Sequence, residues 1–465
     1  MKIPRILLGA GASGSGKTLI TCGLLQALVD RGLKVSSFKC GPDYIDPMFH
    51  SRVIGTKSRN LDTFFTGKKR TRYLLGMNVK DADIAVMEGV MGYYDGVAGI
   101  TSRASAWDLS DTTETPSILI VNSRGMSVSL AAYVKGFLEY KKNSHIKAVI
   151  FNQMSAMLYP RMKKLVEEET GILVLGYVPK VEDCVIESRH LGLVLPEEIP
   201  ELQSRLKKLA GILEETLDID GILKLAGEAP ELEIPSDLTE EDKNFDFHTE
   251  EPVRIGVAGD EAFCFFYEDN FTLLRKMGAE LVSFSPVKDQ LLPEDLDGIL
   301  LYGGYPELKG EALENNVSMK DSVKKAILGG MPCMAECGGF MYLHEEMEDM
   351  DGISRKMAGV IPGKCYRTPR LSRFGYITLK EKDSDAFGEI PAHEFHYFDS
   401  TNCGNSFRAS KPLSTRGWDC IHRNKRVMAG FPHLYYYGNP AVAAEFLKNC
   451  LEYKRERQQE MNHEI

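Results

Sequence analysis

A chain of 465 residues is too long for a single ordinary core, so we expect two or three domains. Its apolar and charged fractions, 43% and 26%, are typical of a soluble globular protein, and no apolar run is long enough to span a bilayer. The net charge of −10 argues against non-specific nucleic-acid binding, and the ten cysteines, without a C-x-x-C pair, argue against a zinc site or a disulfide framework. We therefore expect a cytoplasmic protein with no membrane or nucleic-acid partner.

The most specific motif lies near the N-terminus. The segment GASGSGKT, residues 11–18, fits the pattern G-x-x-x-x-G-K-[ST] of a P-loop. An apolar, β-prone run precedes it and a helical pattern follows it, as the strand and helix of this motif must. The predicted nucleotide-binding residues are the motif glycines, lysine and threonine, namely Gly11, Gly14, Gly16, Lys17 and Thr18. Lys17 is expected to reach the β- and γ-phosphates of ATP, and Thr18 to bind Mg²⁺.

Beyond the loop, β-rich runs alternate with helical patterns, which predicts a doubly wound, mostly parallel α/β sheet in a domain at residues 1–225. The predicted strands are KVSSFKC, IAVMEG, SILIVN, IKAVIFN and LVLGYVP. Residues 226–252 are acidic, contain prolines and show no hydrophobic period, which indicates a linker. The run VRIGVAG then begins a second α/β domain, residues 253–453, and residues 454–465 are expected to be a frayed helix end.

Four acidic residues follow two of the predicted strands. Asp43 and Asp46 come after SSFKC, Glu88 ends the strand IAVME as a Walker B acid does, and Asp95 follows seven residues later. A single aspartate in such a place is more often a turn former. Four acids at the carboxyl ends of two strands, the edge where ligands bind in this fold, favour metal ligation and substrate orientation.

A second motif predicts a nucleophile. In PCMAECGGFMYL, Cys337 follows an apolar run and precedes two glycines, as on a tight strand-to-helix turn. We expect the following helix N-terminus to lower the pKa of the thiol and activate it. His433 is the candidate base, and the pattern leaves four other histidines open: His344, His393, His396 and His422.

Taken together, the motifs resemble one family along nearly the whole chain. They are KCGPDYIDP, NLDTF, MEGVMGYYDG, SRHLGL, GDEAFCFFY, YGGYPEL, AECGGFMYL, HEFHY and PHL. The family is cobyrinate a,c-diamide synthase, a glutamine-dependent amidotransferase of corrinoid biosynthesis. The resemblance implies a dethiobiotin-synthetase-like P-loop domain followed by a class I glutamine amidotransferase domain.

The same resemblance implies a reaction and roles for single residues. Cys337, with His433 as base, would release ammonia from glutamine, and backbone N–H groups near Gly303 and Gly304 and after Cys337 would form the oxyanion hole. At the other site ATP·Mg²⁺ would phosphorylate the a and c acetate carboxylates of a tetrapyrrole polycarboxylate, and ammonia would displace the phosphate. At that site the resemblance implies that Thr18, Asp43 and Glu88 bind the metal. It also implies that Asp46 and Asp95 bind the substrate and that Asn152 contacts adenine. A homodimer is also expected.

Some positions depart from the family pattern. Tyr435 stands where class I glutaminases often have the glutamate that orients the base, Asn122 stands at a usual aspartate, and Gln153 stands at a usual arginine. The motifs do not separate cobyrinic acid from hydrogenobyrinic acid or nickel-sirohydrochlorin as substrate. A P-loop regulatory ATPase without glutaminase activity is the alternative from another class, against which the context of Cys337 argues.

Overall fold

The computed structural model describes residues 1–181, 188–189, 192–193 and 202–463. The chain divides into two compact units, an N-terminal unit of Met1–Asp237 and a C-terminal unit of Leu238–Ile465. The division falls inside the segment 226–252 that the sequence marks as a linker. Of the motif SRHLGL, His190 and Leu191 lie outside the described residues.

The N-terminal unit is built on a seven-stranded sheet whose strand order is β3-β2-β4-β1-β5-β6-β7 and whose pairs are all parallel. Its strands are β1 Arg5–Ala10, β2 Val35–Cys40, β3 Lys57–Leu61, β4 Ile84–Glu88, β5 Ser117–Asn122, β6 Ile146–Asn152 and β7 Leu173–Val178, and a short antiparallel pair follows, β8 Ser188–Arg189 and β9 Gly192–Leu193. Its helices are α1 Lys17–Asp30, α2 Ile45–Phe49, α3 Thr63–Asn78, α4 Ala106–Thr113, α5 Ser129–Glu139, α6 Tyr159–Thr170, α7 Leu202–Thr216 and α8 Ile219–Gly227. The predicted doubly wound parallel sheet is confirmed.

Every residue of the strands β1, β2 and β4 is buried, because helices cover parallel sheets on both faces. That burial explains why β1 and β4 read as mostly apolar runs, whereas β2 also buries two serines and Lys39. The strand β3, which the sequence analysis did not predict, has the polar sequence KSRNL and lies at the edge of the sheet.

The C-terminal unit contains a six-stranded sheet in the order β11-β10-β12-β13-β23-β22, together with smaller sheets of four and five strands. Its strands are β10 Val253–Ala258, β11 Ala279–Phe284, β12 Gly298–Leu301, β13 Cys333–Glu336, β14 His344–Glu348, β15 Ser354–Lys356, β16 Ile361–Arg367, β17 Arg373–Glu381, β18 Glu389–His396, β19 Phe398–Ser400, β20 Phe407–Ser410, β21 Gly417–Cys420, β22 His422–Arg423, β23 Val427–Gly430 and β24 His433–Leu434. Its helices are α9 Glu268–Lys276, α10 Gly310–Asn315, α11 Val317–Leu328, α12 Gly338–Leu343 and α13 Pro440–His463. The predicted α/β class is confirmed, and the antiparallel strands β17, β18, β20, β21 and β24 are additional.

The predicted linker and tail both contain ordered residues. In the linker, Leu232 is buried and its N–H donates to Met1 O at 3.0 Å, while Phe245 is buried and its ring stacks on Tyr437. In the tail, the helix α13 continues through to His463. Among the residues that the structure describes, no helix has both the length and the apolar character needed to cross a membrane.

Candidate active sites

The P-loop joins β1 to α1 at the carboxyl edge of the first sheet. Gly14 and Gly16 have φ values of 75° and 91°, in the left-handed region that favours glycine. A Cβ atom at Gly16 would lie 2.2 Å from Asn152 Nδ2. Asn152 is buried, and its Nδ2 donates to Ser15 O at 2.8 Å, so its side chain holds the loop from below. Contact of Asn152 with adenine stays a prediction.

Lys17 lies folded over the loop. Its Nζ donates to Ala12 O at 3.2 Å and to Met91 O at 2.5 Å. Burial, reinforced by the nearby charge of Lys39, lowers the pKa of Lys17 to about 8. A phosphate at this position would replace two neutral carbonyl acceptors with a charged one, which favours the protonated lysine.

The predicted acids surround a lysine that the sequence analysis did not single out. Lys39, at the end of β2, forms ion pairs with Asp46 and with Glu88, whose Oε1 lies 2.8 Å from its Nζ, and Asp43 Oδ2 is 4.0 Å away. Burial alone would lower the pKa of Lys39, but the neighbouring carboxylates outweigh burial and raise it well above its ordinary value. Lys39 thus offsets part of the negative charge of the cluster and places a fixed positive charge beside its carboxylates.

The residues predicted to hold Mg²⁺ are partly assembled. Thr18 Oγ1 donates to Glu88 Oε1 at 2.7 Å, and the buried Glu88 Oε2 accepts no hydrogen bond from any described residue. Within the described ranges, no group of three or more His, Cys, Asp or Glu side chains is arranged to hold a metal ion. Mg²⁺ in phosphate-transfer sites takes only one or two carboxylates, with waters and phosphate oxygens as its other ligands. Thr18 and Glu88 fit that pattern.

The other two acids are fixed by local backbone. Asp43 Oδ1 accepts the N–H groups of Ile45 and Asp46, both at 3.0 Å, at the start of α2. Burial, with the charge of Asp46, raises the pKa of Asp43 to about 7. Asp95 is exposed, and its Oδ2 accepts the Gly92 N–H at 3.0 Å, which sets its direction at the edge of the sheet.

In the C-terminal unit, Cys337 occupies the predicted elbow between β13 and α12. Its φ of 47° and ψ of −105° are strained for a non-glycine residue, as expected for a nucleophile on a sharp turn. The turn is closely packed, since a Cβ atom at Gly339 would lie 2.1 Å from Leu301 O. The Cys337 N–H donates to Gly430 O at 2.8 Å, which ties the elbow to β23.

His433 is brought to the same point as Cys337. A Cβ atom at Gly303 would lie 2.8 Å from His433 Cε1 and 3.4 Å from Cys337 Cβ, so both side chains border this glycine. His433 pairs in register with His393 across β24 and β18, and the two rings stack with centroids 4.9 Å apart.

The remaining histidines have other partners. His344 Nδ1 bonds to Phe340 O at 2.9 Å, His422 Nε2 to Asn402 O at 2.9 Å, and His396 Nδ1 to Phe398 O at 2.6 Å. The geometry therefore favours His433 as the base, with His393 stacked on it.

The expectation of a lowered thiol pKa is wrong for this structure. Burial raises the pKa of Cys337 well above its ordinary value, and nearby Glu307 adds to the effect. The helix α12 has only six residues, too short a dipole to offset the desolvation of a thiolate. Burial also lowers the pKa of His433 to about 3. At neutral pH the resting pair is therefore a thiol beside a neutral imidazole.

Glu336 is a functional candidate that the sequence analysis missed. It directly precedes Cys337, yet its Oε2 lies 3.7 Å from His433 Nδ1 and accepts the Leu434 N–H at 3.4 Å. Burial raises the pKa of its carboxyl to about 8. Tyr435, at the position of the usual orienting glutamate, donates instead to Asp269 Oδ2 at 2.8 Å. Glu336, next to the nucleophile in sequence, is thus the carboxylate beside His433, whereas Tyr435 bonds elsewhere.

The glycines predicted for the oxyanion hole lie at the same elbow. A Cβ atom at Gly338 would lie 3.2 Å from Gly304 N, so the backbone N–H groups after Cys337 and at Gly304 are neighbours. A Cβ atom at Gly304 would lie 2.1 Å from Ala262 O, so a side chain there is excluded. Two adjacent N–H groups beside a nucleophile are the arrangement that stabilises a developing oxyanion.

Comparison with known proteins matches both units to family domains. Residues 6–193 match the family model of the CobQ/CobB/MinD/ParA nucleotide binding domain, and residues 254–440 match that of the CobB/CobQ-like glutamine amidotransferase domain. The cobyrinate a,c-diamide synthase of Priestia megaterium is 36% identical over 466 residues, which cover 97% of this chain and 98% of that protein. The cobyrinate a,c-diamide synthase of Dehalococcoides mccartyi strain CBDB1 is 38% identical over 460 residues, which cover 96% of this chain and 98% of that protein.

The chain belongs to the cobyrinate a,c-diamide synthase family. As a member of this family it is a glutamine-dependent ligase, with a nucleotide-binding P-loop domain and a glutamine amidotransferase domain. The family relation confirms the predicted order of a nucleotide-binding domain followed by a glutamine amidotransferase domain.

Proposed function

We propose that the chain uses ATP and glutamine to convert the a and c acetate carboxylates of cobyrinic acid into amides. The proposal is supported by full-length similarity to cobyrinate a,c-diamide synthases and by a P-loop and a cysteine elbow in the same chain. The observation that carries it is that Cys337 and His433 both border Gly303, so that the candidate nucleophile and its base lie at the same point. Hydrogenobyrinic acid and nickel-sirohydrochlorin remain the alternative substrates.

In the glutaminase step, His433 takes the Cys337 proton as the sulfur attacks the carboxamide carbon of glutamine. The oxygen of the tetrahedral intermediate faces the N–H groups of Gly304 and Gly338, and the proton passes from His433 to the departing ammonia. Water then cleaves the thioester and releases glutamate. The neutral resting pair fits this order, because desolvation disfavours a thiolate before the substrate supplies a partner for its charge.

In the synthetase step, Lys17 and the P-loop N–H groups bind the ATP phosphates, and a substrate carboxylate oxygen attacks the γ-phosphorus, which breaks the bond to the β,γ-bridging oxygen and releases ADP. The resulting acyl phosphate has a good leaving group, so ammonia displaces phosphate to give the amide. Lys39 would stabilise the negative charge on the transferred group. When bound, Mg²⁺ would neutralise phosphate charge beside Thr18 and Glu88, with Asp43 close by. Asp46 and Asp95 are assigned to substrate, Asn152 to adenine, and the active form to a homodimer.

The decisive test replaces Cys337 by serine. Cys337→Ser should abolish glutamine-dependent amidation and leave ammonia-dependent amidation at its original rate, because ATP chemistry does not use the thiol. Amide formation is read by mass spectrometry with each candidate tetrapyrrole in turn, and two acid-to-amide mass changes on one of them identify the substrate. Loss of both activities in a folded variant would contradict the division of labour, and amidation of none by the unaltered protein would contradict the function.

A further inference from the structure

An open cleft of about 790 Å³ in the N-terminal unit is lined by aromatic side chains that the reaction described above does not use. One wall is the exposed side of α5, with Tyr133 and Phe137 on the helix and Tyr140 directly after it, at helical spacing. The other wall is the loop 94–102, which includes Tyr94 and Ile100. We call this site the aromatic cleft, and its volume is within the usual range for a small-molecule site.

The walls of the aromatic cleft are ordered by contacts between rings. Tyr94 stacks on Phe137 with centroids 5.7 Å apart and planes 21° apart, and its hydroxyl donates to Phe137 O at 2.7 Å. Tyr140 contacts Tyr94 at 4.8 Å between centroids but is 68% exposed, and Ile100 is 77% exposed. Large apolar side chains that stay exposed on a prearranged concave surface are typical of a ligand site.

The aromatic cleft is continuous with the P-loop. Gly11, the first glycine of the loop, and Asp95 both belong to its lining. A Cβ atom at Gly11 would lie 1.7 Å from the Tyr133 hydroxyl oxygen, so α5 packs directly against the loop. A ligand held between the rings would therefore have its edge beside the residues that bind the phosphates of ATP.

The charge on the rim suits an anionic ligand. Lys141 Nζ lies 4.7 Å from the ring centroid of Trp107 and 5.7 Å from that of Tyr140. In the part of the chain that the structure describes, no carboxylate forms an ion pair with Lys141. The ammonium is thus held at the mouth of the cleft by two aromatic faces and is available for a carboxylate of the ligand.

We propose that the aromatic cleft binds the flat face of the tetrapyrrole, with Tyr140 and Ile100 against the ring and Lys141 on a peripheral carboxylate. The assignment rests on the proposed function, which requires a large conjugated polycarboxylate whose edge reaches the P-loop. Flat conjugated rings bind best between aromatic and apolar side chains, and Asp95 at the inner end would face the reacting side chain. The other occupant to be tested is a second copy of this chain.

The test uses the full chain and uroporphyrin, a flat tetrapyrrole octacarboxylate, with Kd read from the shift of its main absorption band. The double variant Ile100→Ser/Tyr140→Ala should raise Kd about 10-fold, and Lys141→Gln about 3-fold. In the amidation assay, KM for the tetrapyrrole should rise by the same factors, while KM for ATP and the glutaminase rate stay unchanged. Met157→Ser, at an 88% exposed position in the same unit, is the matched control.

The outcomes separate this proposal from the proposed function. Amidation by the unaltered protein with unchanged Kd and KM in the variants would overturn the cleft and leave the function intact. Failure of the unaltered protein to amidate any tetrapyrrole, with uroporphyrin binding still lost in the double variant, would overturn the function and support the cleft. Sedimentation that shows a dimer disrupted by the double variant, with KM unchanged, would assign the surface to a second copy and overturn the proposal.

Discussion

Replacing Gly303 by alanine tests most directly how Cys337 and His433 are placed at the turn between β13 and α12. The added methyl would lie 2.8 Å from His433 Cε1 and 3.4 Å from Cys337 Cβ. Carbon atoms in contact normally stay about 3.5–4.0 Å apart, so the imidazole has to move by about 0.7 Å or more. His433 is buried and stacked on His393, which limits its withdrawal. The added methyl group therefore changes the distance between the His433 imidazole and the Cys337 thiol.

A misplacement of about 1 Å in a catalytic group can cost about 100-fold in rate, or roughly 2.7 kcal/mol in activation free energy. We therefore expect Gly303→Ala to lower glutaminase kcat/KM about 100-fold, measured as glutamate release. Ammonia-dependent amidation should stay at the level of the unaltered protein, because that reaction uses neither Cys337 nor His433.

The matched control is Gly211→Ala in the exposed part of α7, where an added Cβ would meet no atom within 4 Å. This control should keep both activities and gain up to about 1 kcal/mol in stability from better helix propensity. Wild-type glutaminase activity in Gly303→Ala, with the variant folded, would refute the placement of Cys337 and His433 around this glycine.

The remaining predictions concern single charged groups. Lys17→Ala should abolish ATP turnover with glutamine and with ammonia alike, and unchanged phosphate release would overturn the P-loop assignment. Burial lowers the pKa of His433 from 6.5 to about 3, so below pH 6.5 the unfolded chain binds a proton that the folded chain does not. At pH 5, which is 1.5 units below the unfolded-state pKa of 6.5, this costs about 2 kcal/mol of folding stability. The urea midpoint of His433→Gln should therefore fall less between pH 7 and pH 5 than that of the unaltered protein, and an equal fall would contradict this reasoning. Burial raises the pKa of Glu336 from 4.5 to about 8, so its contribution is present below pH 4.5 and is lost as the pH rises toward 8. Glu336→Gln should therefore stabilise the fold at pH 7 by about 3 kcal/mol and slow the glutaminase, whereas full activity in this variant would exclude a positioning role for Glu336.

Local sequence was sufficient for the elements whose pattern and turn chemistry are complete within a few residues. The strands β4, β5, β6 and β7 were predictable because strands of a parallel sheet covered by helices are mostly apolar. The P-loop and the Cys337 elbow were predictable because their glycines permit backbone conformations that other residues disfavour. The polar edge strand β3 and the antiparallel strands of the C-terminal unit carry no such local signal.

The tertiary structure alone decided which distant groups meet and how strongly water is excluded from them. Lys39 meets Glu88 because the neighbouring strands β2 and β4 end at one sheet edge. Glu336 reaches His433 because β13 and β24, which belong to different sheets, come together at the turn that carries Cys337. The same packing reversed the expected pKa of Cys337, since a short helix cannot offset the desolvation of a buried thiolate. Sequence thus determined the motifs and their backbone, while charge balance, protonation and the neighbours of each side chain depended on packing. Electrostatic energy depends on distance and on exclusion of water, and neither is a property of local sequence.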